Sequence, residues 1–194
     1  MNAIIRLATK QDAKEIQAIY APIVENTVIS FETEVPTVDE MQRRIETITQ
    51  QYPWLVLEKD NDVLGYVYAS PHRSRMAYQW SVDVTAYIHQ NVRRMGVGRT
   101  LYTSMFEILK LQGYYNAFAG IALPNEGSVG LHEAMGFTPV GVYKNVGYKL
   151  DAWHDVGWWQ LRILENNEIP LPPKPINQVP YNQVIQNGLS FFKG

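Results

Sequence analysis

The chain has no cysteine among its 194 residues. That absence excludes disulfides, thiolate metal sites and a catalytic thiol. A strong charge of one sign is also missing, because 17 lysines and arginines stand against 19 aspartates and glutamates, for a net charge of -2. A nearly neutral protein exerts no long-range pull on nucleic acid or on an anionic membrane. The charge balance therefore favours a small-molecule partner.

Long apolar runs are absent as well. No segment approaches the ~20 apolar residues of a membrane span, and the amino terminus lacks the basic and apolar regions of a secretory leader. We therefore expect a cytoplasmic protein that contacts no membrane. The histidines include no i, i+4 pair of the kind that binds zinc on a helix, so we expect no metal. They are His72, His89, His132 and His154.

The composition suits one globular domain with a hydrophobic core, since 46% of the residues are hydrophobic. Strand-like and helix-like patterns alternate along the chain, with capping signals at Thr9 and Thr37 and a strand over residues 79–88 that places Asp83 on its polar face. The order predicts an α/β (α+β) mixed sheet of about seven strands with helices on both faces. Residues 1–164 are expected to form this domain. Residues 165–194 form a proline-rich tail that excludes a regular helix or a central strand.

The most informative segment lies between a predicted strand and a predicted helix and reads Arg93-Arg94-Met95-Gly96-Val97-Gly98. Glycines let backbone N–H groups approach a ligand, and a helix N-terminus with nearby arginines suits a pyrophosphate. A Walker loop is excluded because Arg99 follows Gly98, and a dinucleotide fingerprint is excluded because Leu101 stands where a small residue is needed. A tight turn with a helix cap is the alternative interpretation. The remaining pattern resembles the acetyl-CoA pyrophosphate loop of the GNAT N-acetyltransferases.

Further segments resemble one GNAT branch, the phosphinothricin acetyltransferases, whose relatives act on methionine sulfoximine. The matching segments cover most of the chain and lie at residues 30–34, 52–56, 77–80, 123–125, 132–136 and 153–161. This resemblance implies the GNAT fold, acetyl-CoA as co-substrate, a small-molecule amine as the group acetylated, and a homodimer.

The same resemblance suggests binding residues. For the cofactor they are Tyr87, Ile88, Arg93, Arg94, Gly96, Val97, Gly98, Arg99, Asn125 and Ser128. For the amine substrate they are Phe31, Glu32, Arg73, Arg75 and Tyr78. Two arginine forks suit a substrate with a carboxylate and a phosphinate or sulfoximine group. The alternatives are solvated surface arginines at 73 and 75, core packing for Phe31, and a turn residue at Asn125. Ser128 is expected to cap the following helix.

Two residues are candidate catalytic groups. Asp83 stands where the family carries a glutamate proposed as general base, and its shorter side chain favours proton removal through a water. His132 stands where many GNAT enzymes carry a tyrosine that protonates the departing CoA thiolate. An exposed strand aspartate and a buried structural histidine are the alternatives. A backbone N–H near Tyr87 is expected to bind the thioester oxygen as it becomes an oxyanion.

Two other functions stay open. The chain could be a GNAT enzyme that acetylates a different amine, such as an antibiotic or a protein N-terminus, although Arg73 and Arg75 favour a small anionic amine. It could also be a non-catalytic sensor that binds acetyl-CoA, although Asp83 and His132 together disfavour that function.

Overall fold

A computed structural model describes residues 3–165 and 169–194. Residues 1 and 2 of the predicted domain and residues 166–168 of the predicted tail lie outside the described residues. The strands are β1 Ile4–Leu7, β2 Trp54–Lys59, β3 Asp62–Pro71, β4 Ser81–Ile88, β5 Asn116–Leu123, β6 Thr138–Lys149 and β7 Ala152–Arg162. The α-helices are α1 Ala13–Asn26, α2 Val38–Ile48, α3 Val97–Gln112 and α4 Glu126–Ala134.

Both predicted capping signals form hydrogen bonds, one at the start of α2 and the other at the short turn that precedes α1. The hydroxyl of Thr37 accepts a hydrogen bond from the backbone N–H of Glu40 at 3.1 Å, which satisfies one donor at the start of α2. The Asp12 carboxylate accepts the backbone N–H of Thr9 at 2.7 Å. That second cap precedes a short 3-10 turn, Lys10–Asp12, and α1 begins only after it.

The seven strands form one sheet in the order β1-β2-β3-β4-β5-β7-β6, which confirms the predicted mixed sheet. All neighbours are antiparallel except β4 and β5. This parallel pair is matched only over Ser81 to Asp83 with Asn116 to Phe118, although both strands continue beyond it. The sheet therefore opens into a gap between the later parts of β4 and β5.

Apolar side chains fill both faces of the sheet. One core packs α3 against alternate residues of the central strands, including Val82, Val84 and Ala117. The other packs α1 and α2 against the opposite face, including Trp54 and Tyr66. Odd-numbered residues of β4, among them Asp83, therefore lie on the face of α1 and α2, because side chains alternate along a strand.

Two predicted element boundaries were wrong. The strand predicted from residue 79 begins at Ser81, because the preceding residues form a 3-10 turn that the N–H of Gln79 closes on the carbonyl of Met76. The helix predicted from Ser128 begins at Glu126, because Asn125 rather than Ser128 is its N-cap.

The described part of the proline-rich tail packs on the body through short 3-10 turns. Ile176, Val179 and Ile185 are buried in the core on the α3 side. The Gln186 side chain exchanges two hydrogen bonds with the backbone of Ile5, at 3.0 and 2.6 Å. These contacts make residues 176–186 part of the same packed unit as the sheet. None of the helices within residues 3–165 and 169–194 is long and apolar enough to cross a membrane.

Candidate active site

A narrow cavity of about 60 Å³ lies where β4 and β5 separate. Its lining combines backbone from both strands with side chains from α3, α4 and the loop after α1. The lining residues include Ile29, Val84 to Tyr87, Tyr102, Ala119 to Ala122, Asn125, Ser128 and His132. Because strand backbone in this gap has no neighbouring strand, it can pair with an extended, amide-containing ligand.

The phase of the β3–β4 ladder decides which backbone groups face the gap. The N–H of His89 bonds the carbonyl of Leu64, and the N–H of His72 bonds that of Ser81. Hydrogen-bonded pairs alternate in an antiparallel ladder, so Tyr87, opposite Tyr66, directs its N–H toward β3. The N–H of Tyr87 itself therefore does not face the gap. The N–H groups that face the gap belong to Val84, Ala86 and Ile88.

The glycine loop leads from β4 into α3, as predicted. Two of its residues adopt left-handed backbone, Arg94 at φ 65° and Gly96 at φ 84°. Such backbone costs about 1–3 kcal/mol for a residue other than glycine and is concentrated at functional sites. The turn places the N–H groups of Val97, Gly98 and Arg99 at the start of α3, where backbone donors lack partners within the helix. The loop therefore has the donor set of an anion site.

The three arginines around this loop are exposed. Arg93 also lines a second cavity of about 290 Å³, beside His89 and the end of α1. The Arg99 guanidinium lies over the ring of Phe191, 4.1 Å from its centroid. Arg99 therefore contacts the tail as well as bordering the loop.

Gly98 has a packing role that the motif did not reveal. A Cβ there would lie 2.8 Å from Cδ2 of Leu131 on α4. The glycine thus permits α3 and α4 to approach closely, whether or not a ligand is present.

The start of α4 borders the gap. The side-chain oxygen of Asn125 accepts the backbone N–H of Ser128 at 3.1 Å. Ser128 is thus inside the helix rather than at its cap. The Ser128 carbonyl already accepts from His132, so the side-chain nitrogen of Asn125 is the group left to meet another partner, and both residues line the cavity.

His132 is buried and bonded at both ring nitrogens. Its Nδ1 lies 2.7 Å from the carbonyl oxygen of Ser128, so this nitrogen carries the proton and donates it. Its Nε2 therefore accepts from the hydroxyl of Tyr102 at 3.0 Å. Burial lowers the pKa of His132, and the bond to Ser128 opposes that shift. The neutral imidazole thus holds the Tyr102 hydroxyl at the wall of the gap.

Asp83 lies at the last matched position of β4 and β5, opposite Phe118. Its Oδ1 is 2.6 Å from Nδ1 of His72, which follows β3. The His72 ring stacks on Phe118 with centroids 4.2 Å apart. Burial raises the pKa of the Asp83 carboxyl, while the hydrogen bond from His72 opposes that shift. The structure thus joins a predicted residue to a histidine that the sequence analysis gave no function.

The substrate loop lies beside this pair. Arg73 is exposed, and its guanidinium lies 5.6 Å from the ring centroid of Trp158 on β7. The His72 ring meets the same indole edge-on at 6.0 Å. The indole N–H of Trp158 is buried and has no hydrogen-bond partner among the described residues. Arg75 and Tyr78 are exposed in and after the same loop.

The predicted Phe31 and Glu32 have different environments. Phe31 is 38% exposed, and its ring lies against Gly147 of β6. Glu32 accepts from Arg44 at 2.7 Å and from the Tyr20 hydroxyl at 3.0 Å. Its carboxylate is thus engaged in the body of the protein, and Phe31 is the residue of this motif that presents an open surface.

Lys149, the last residue of β6, holds the segment around Ser30 in place. It is buried and donates to the carbonyls of Val24 and Ser30, both at 2.7 Å. Burial lowers the pKa of the Lys149 ammonium group. The sequence analysis missed Lys149 and His72. A signal existed for His72 alone, because Ser70 pairs with Asp83 and residue 72 is its diagonal neighbour across the hairpin.

The fold and the gap between two parallel strands, followed by a glycine turn and a helix, define an acetyl-CoA-dependent N-acetyltransferase class. The sequence profile of the acetyltransferase (GNAT) domain family matches residues 5–158. The chain belongs to this family. No group of three potential metal-ligating side chains occurs in the part of the chain that the structure describes.

Individual relatives show which GNAT enzymes this chain is similar to. A phosphinothricin N-acetyltransferase of Streptomyces viridochromogenes is 40% identical, over 90% of this chain and 93% of the relative. A methionine sulfoximine and methionine sulfone acetyltransferase of Salmonella typhimurium is 31% identical, over 84% and 95%. The crystal structure of a phosphinothricin acetyltransferase from Sinorhizobium meliloti in complex with AcCoA superposes with a TM-score of 0.84 at 31% identity, covering 93% of this chain and 99% of that one. The protein is therefore a GNAT N-acetyltransferase that uses acetyl-CoA.

Proposed function

We propose that this enzyme acetylates the amino group of a small anionic substrate of the amino-acid type, such as phosphinothricin, methionine sulfoximine or methionine sulfone. The observation that carries the proposal is the cluster beside Asp83. It offers the exposed guanidinium groups of Arg73 and Arg75, and the Arg73 guanidinium lies against the Trp158 ring. Cationic and N–H donors bind carboxylate and phosphinate oxygens through charge-assisted hydrogen bonds.

The two faces of the sheet separate the two substrates. Asp83, Phe118 and Trp158 lie on the face of α1 and α2, where the amine is expected to bind. The glycine loop and α4 supply the anion site and the polar groups for acetyl-CoA. Such an arrangement holds amine and thioester together at the end of the gap, and this proximity supplies much of the rate enhancement.

For direct transfer of the acetyl group, the chain must also stabilise the oxyanion, remove a proton from the ammonium group and supply a proton to the CoA thiolate. The N–H groups of Ala86 and Ile88 face the gap and can bind the thioester oxygen as negative charge develops on it. The ammonium proton leaves on the side of Asp83, because a carboxylate there favours its removal. The Tyr102–His132 pair lines the gap. We assign to this pair the protonation of the CoA thiolate, which the sequence analysis assigned to His132.

Turnover tests the proposal against its two alternatives. Acetyl-CoA consumption is measured with phosphinothricin, methionine sulfoximine, methionine sulfone, common amino acids, an aminoglycoside and a peptide with a free N-terminus. We expect the highest kcat/KM with the small anionic substrates. A preference for the aminoglycoside or the peptide would assign a different amine. Acetyl-CoA binding by calorimetry without turnover of any amine would identify a sensor.

We also propose a homodimer that uses the edge of the sheet at β6. This strand is the last of the sheet and exposes apolar side chains, including Val140, Tyr148 and, on the adjoining strand, Trp153. An exposed apolar edge is unfavourable in a monomer and is normally covered. Light scattering should give twice the chain mass, and Val142→Lys should shift the mass toward that of one chain. A wild-type protein with the mass of one chain would contradict this assembly.

A further inference from the structure

The carboxylate of Asp83 is not free to meet a substrate amine alone. One of its oxygens already accepts a hydrogen bond from His72 at 2.6 Å, a length typical of a charge-assisted bond. The His72 side chain is 12% exposed and that of Asp83 is 27% exposed. Both side chains thus keep some exposure, and because they are hydrogen-bonded to each other, a ligand that reaches Asp83 lies beside His72.

The hydrogen bond determines which His72 nitrogen is basic. A carboxylate only accepts, so Nδ1 carries the proton in this contact and Nε2 keeps its lone pair. Nε2 has no hydrogen-bond partner among the described residues. Stacking on Phe118 fixes the plane of the ring, and the edges of Tyr78 and Trp158 flank it. The imidazole is therefore held in one tautomer and one orientation.

We propose that His72 is the general base of the acetyl transfer and that Asp83 is its positioning residue. This assignment rests on the proposed function, because it concerns the same amine substrate. The geometry supports it through three contacts: the 2.6 Å bond to Asp83, the stack on Phe118, and the Trp158 ring, which both the imidazole and the Arg73 guanidinium contact. A substrate carboxylate bound by Arg73 brings its α-amino group toward Nε2.

The proton balance of the step is simple. Nε2 of His72 takes one proton from the substrate ammonium, and the Asp83 carboxylate stabilises the imidazolium that results. The neutral amine then forms the C–N bond to the thioester carbon, and the C–S bond breaks. The second proton lost from nitrogen ends on the CoA thiolate, while His72 returns its proton to solvent. The products are the acetamide, CoA thiol and one proton.

The first experiment compares His72→Phe with Asp83→Asn. Phenylalanine keeps the stack on Phe118 but cannot accept a proton, so kcat should fall by roughly 10²-fold to 10⁴-fold while acetyl-CoA affinity by calorimetry stays unchanged. Asp83→Asn should lower kcat less, because Nε2 remains. His72→Gln is the second variant if His72→Phe does not fold. A wild-type kcat in a folded position-72 variant would overturn the assignment.

The second experiment separates proton transfer from a structural role. An α-aminooxy acid keeps the carboxylate of an α-amino acid, but its nucleophilic nitrogen is neutral at neutral pH. The defect of His72→Phe should shrink at least about tenfold with this substrate, because no proton has to be removed before attack. An equal defect with both substrates would show that His72 acts only through structure.

Chemical rescue completes the test. His72→Ala opens a space beside Phe118, and added imidazole should raise its kcat at least about tenfold while leaving wild type and Asp83→Asn unchanged. Absence of rescue together with an Asp83→Asn defect as large as that of His72→Phe would make Asp83 the base. Failure of the proposed function is distinguishable, because the wild-type enzyme would then acetylate none of the small anionic amines.

Discussion

Gly96 of the glycine loop lies directly against the carbonyl oxygen of Phe191 in the tail, so that a Cβ at residue 96 would collide with it. The same tail segment donates the N–H of Lys193 to the carbonyl of Met95 at 3.0 Å, and Phe191 lies under the Arg99 guanidinium. The tail thus supports the turn that leads into α3. This contact gives the proline-rich segment a structural role at the glycine loop.

We predict that the tail contributes strongly to stability. Ile185→Ala should lower the free energy of unfolding by about 2–5 kcal/mol, because Ile185 is 5% exposed and truncation leaves a cavity. Ile169→Ala is the matched control in the same tail, since Ile169 is 93% exposed and should change the value by less than about 0.5 kcal/mol. Urea unfolding measures both, and equal effects would contradict the docking of the tail.

We predict that Gly98→Ala destabilises the protein through Leu131. Because the new Cβ would lie 2.8 Å from Cδ2 of Leu131, the movable end of that side chain, we expect a loss of up to about 1 kcal/mol in thermal or urea unfolding. Leu131→Ala in the same chain should recover part of that loss. Gly130→Ala is the control, as no heavy atom lies within 4 Å of its Cβ. Strict additivity of the Gly98 and Leu131 effects would mean that the clash does not exist.

Substrate recognition is predicted to depend on Arg73 more than on Arg75. Arg73→Ala should raise the KM for the amine by an amount equivalent to about 1.5–3 kcal/mol, with the KM for acetyl-CoA unchanged, because a charge-assisted hydrogen bond is lost. Arg75→Ala should have a smaller effect, since Arg75 lacks the contact with Trp158. Arg43→Ala, at an exposed ion pair on α2, is the control. Unchanged steady-state kinetics in both loop variants would show that the loop is ordinary surface.

We predict that the stability of the protein depends on pH through His132. Because its pKa is lowered in the folded state, the unfolded chain binds more protons near its ordinary value of about 6.5. The stabilisation from neutral His132 is therefore present above that value and is lost as the pH falls through the folded-state pKa. His132→Gln should flatten the fall in melting temperature between about pH 7 and about pH 5. The test is calorimetry of both proteins, and parallel curves would contradict it.

The sequence alone determined the class of fold and the position of the glycine turn that leads into α3. Alternating apolar residues, helix caps and a glycine pair before a helix are local signals, so the mixed sheet and the turn at Gly96 could be predicted from neighbouring residues. Asp83 was also placed on the polar face of its strand by alternation alone. These features depend on contacts within a few residues, which a linear pattern records.

Only the tertiary structure decided the partners. His72 meets Asp83 through the register of β3 and β4, and Glu32 is engaged by Arg44 on a separate helix. The phase of the same ladder directs the N–H of Tyr87 toward β3 and the N–H groups of Ala86 and Ile88 toward the gap. The contact of Phe191 with Gly96 joins segments that are far apart in the chain. Such pairings depend on how whole elements pack and on which strand edges stay open, and residue type at a single position does not encode them.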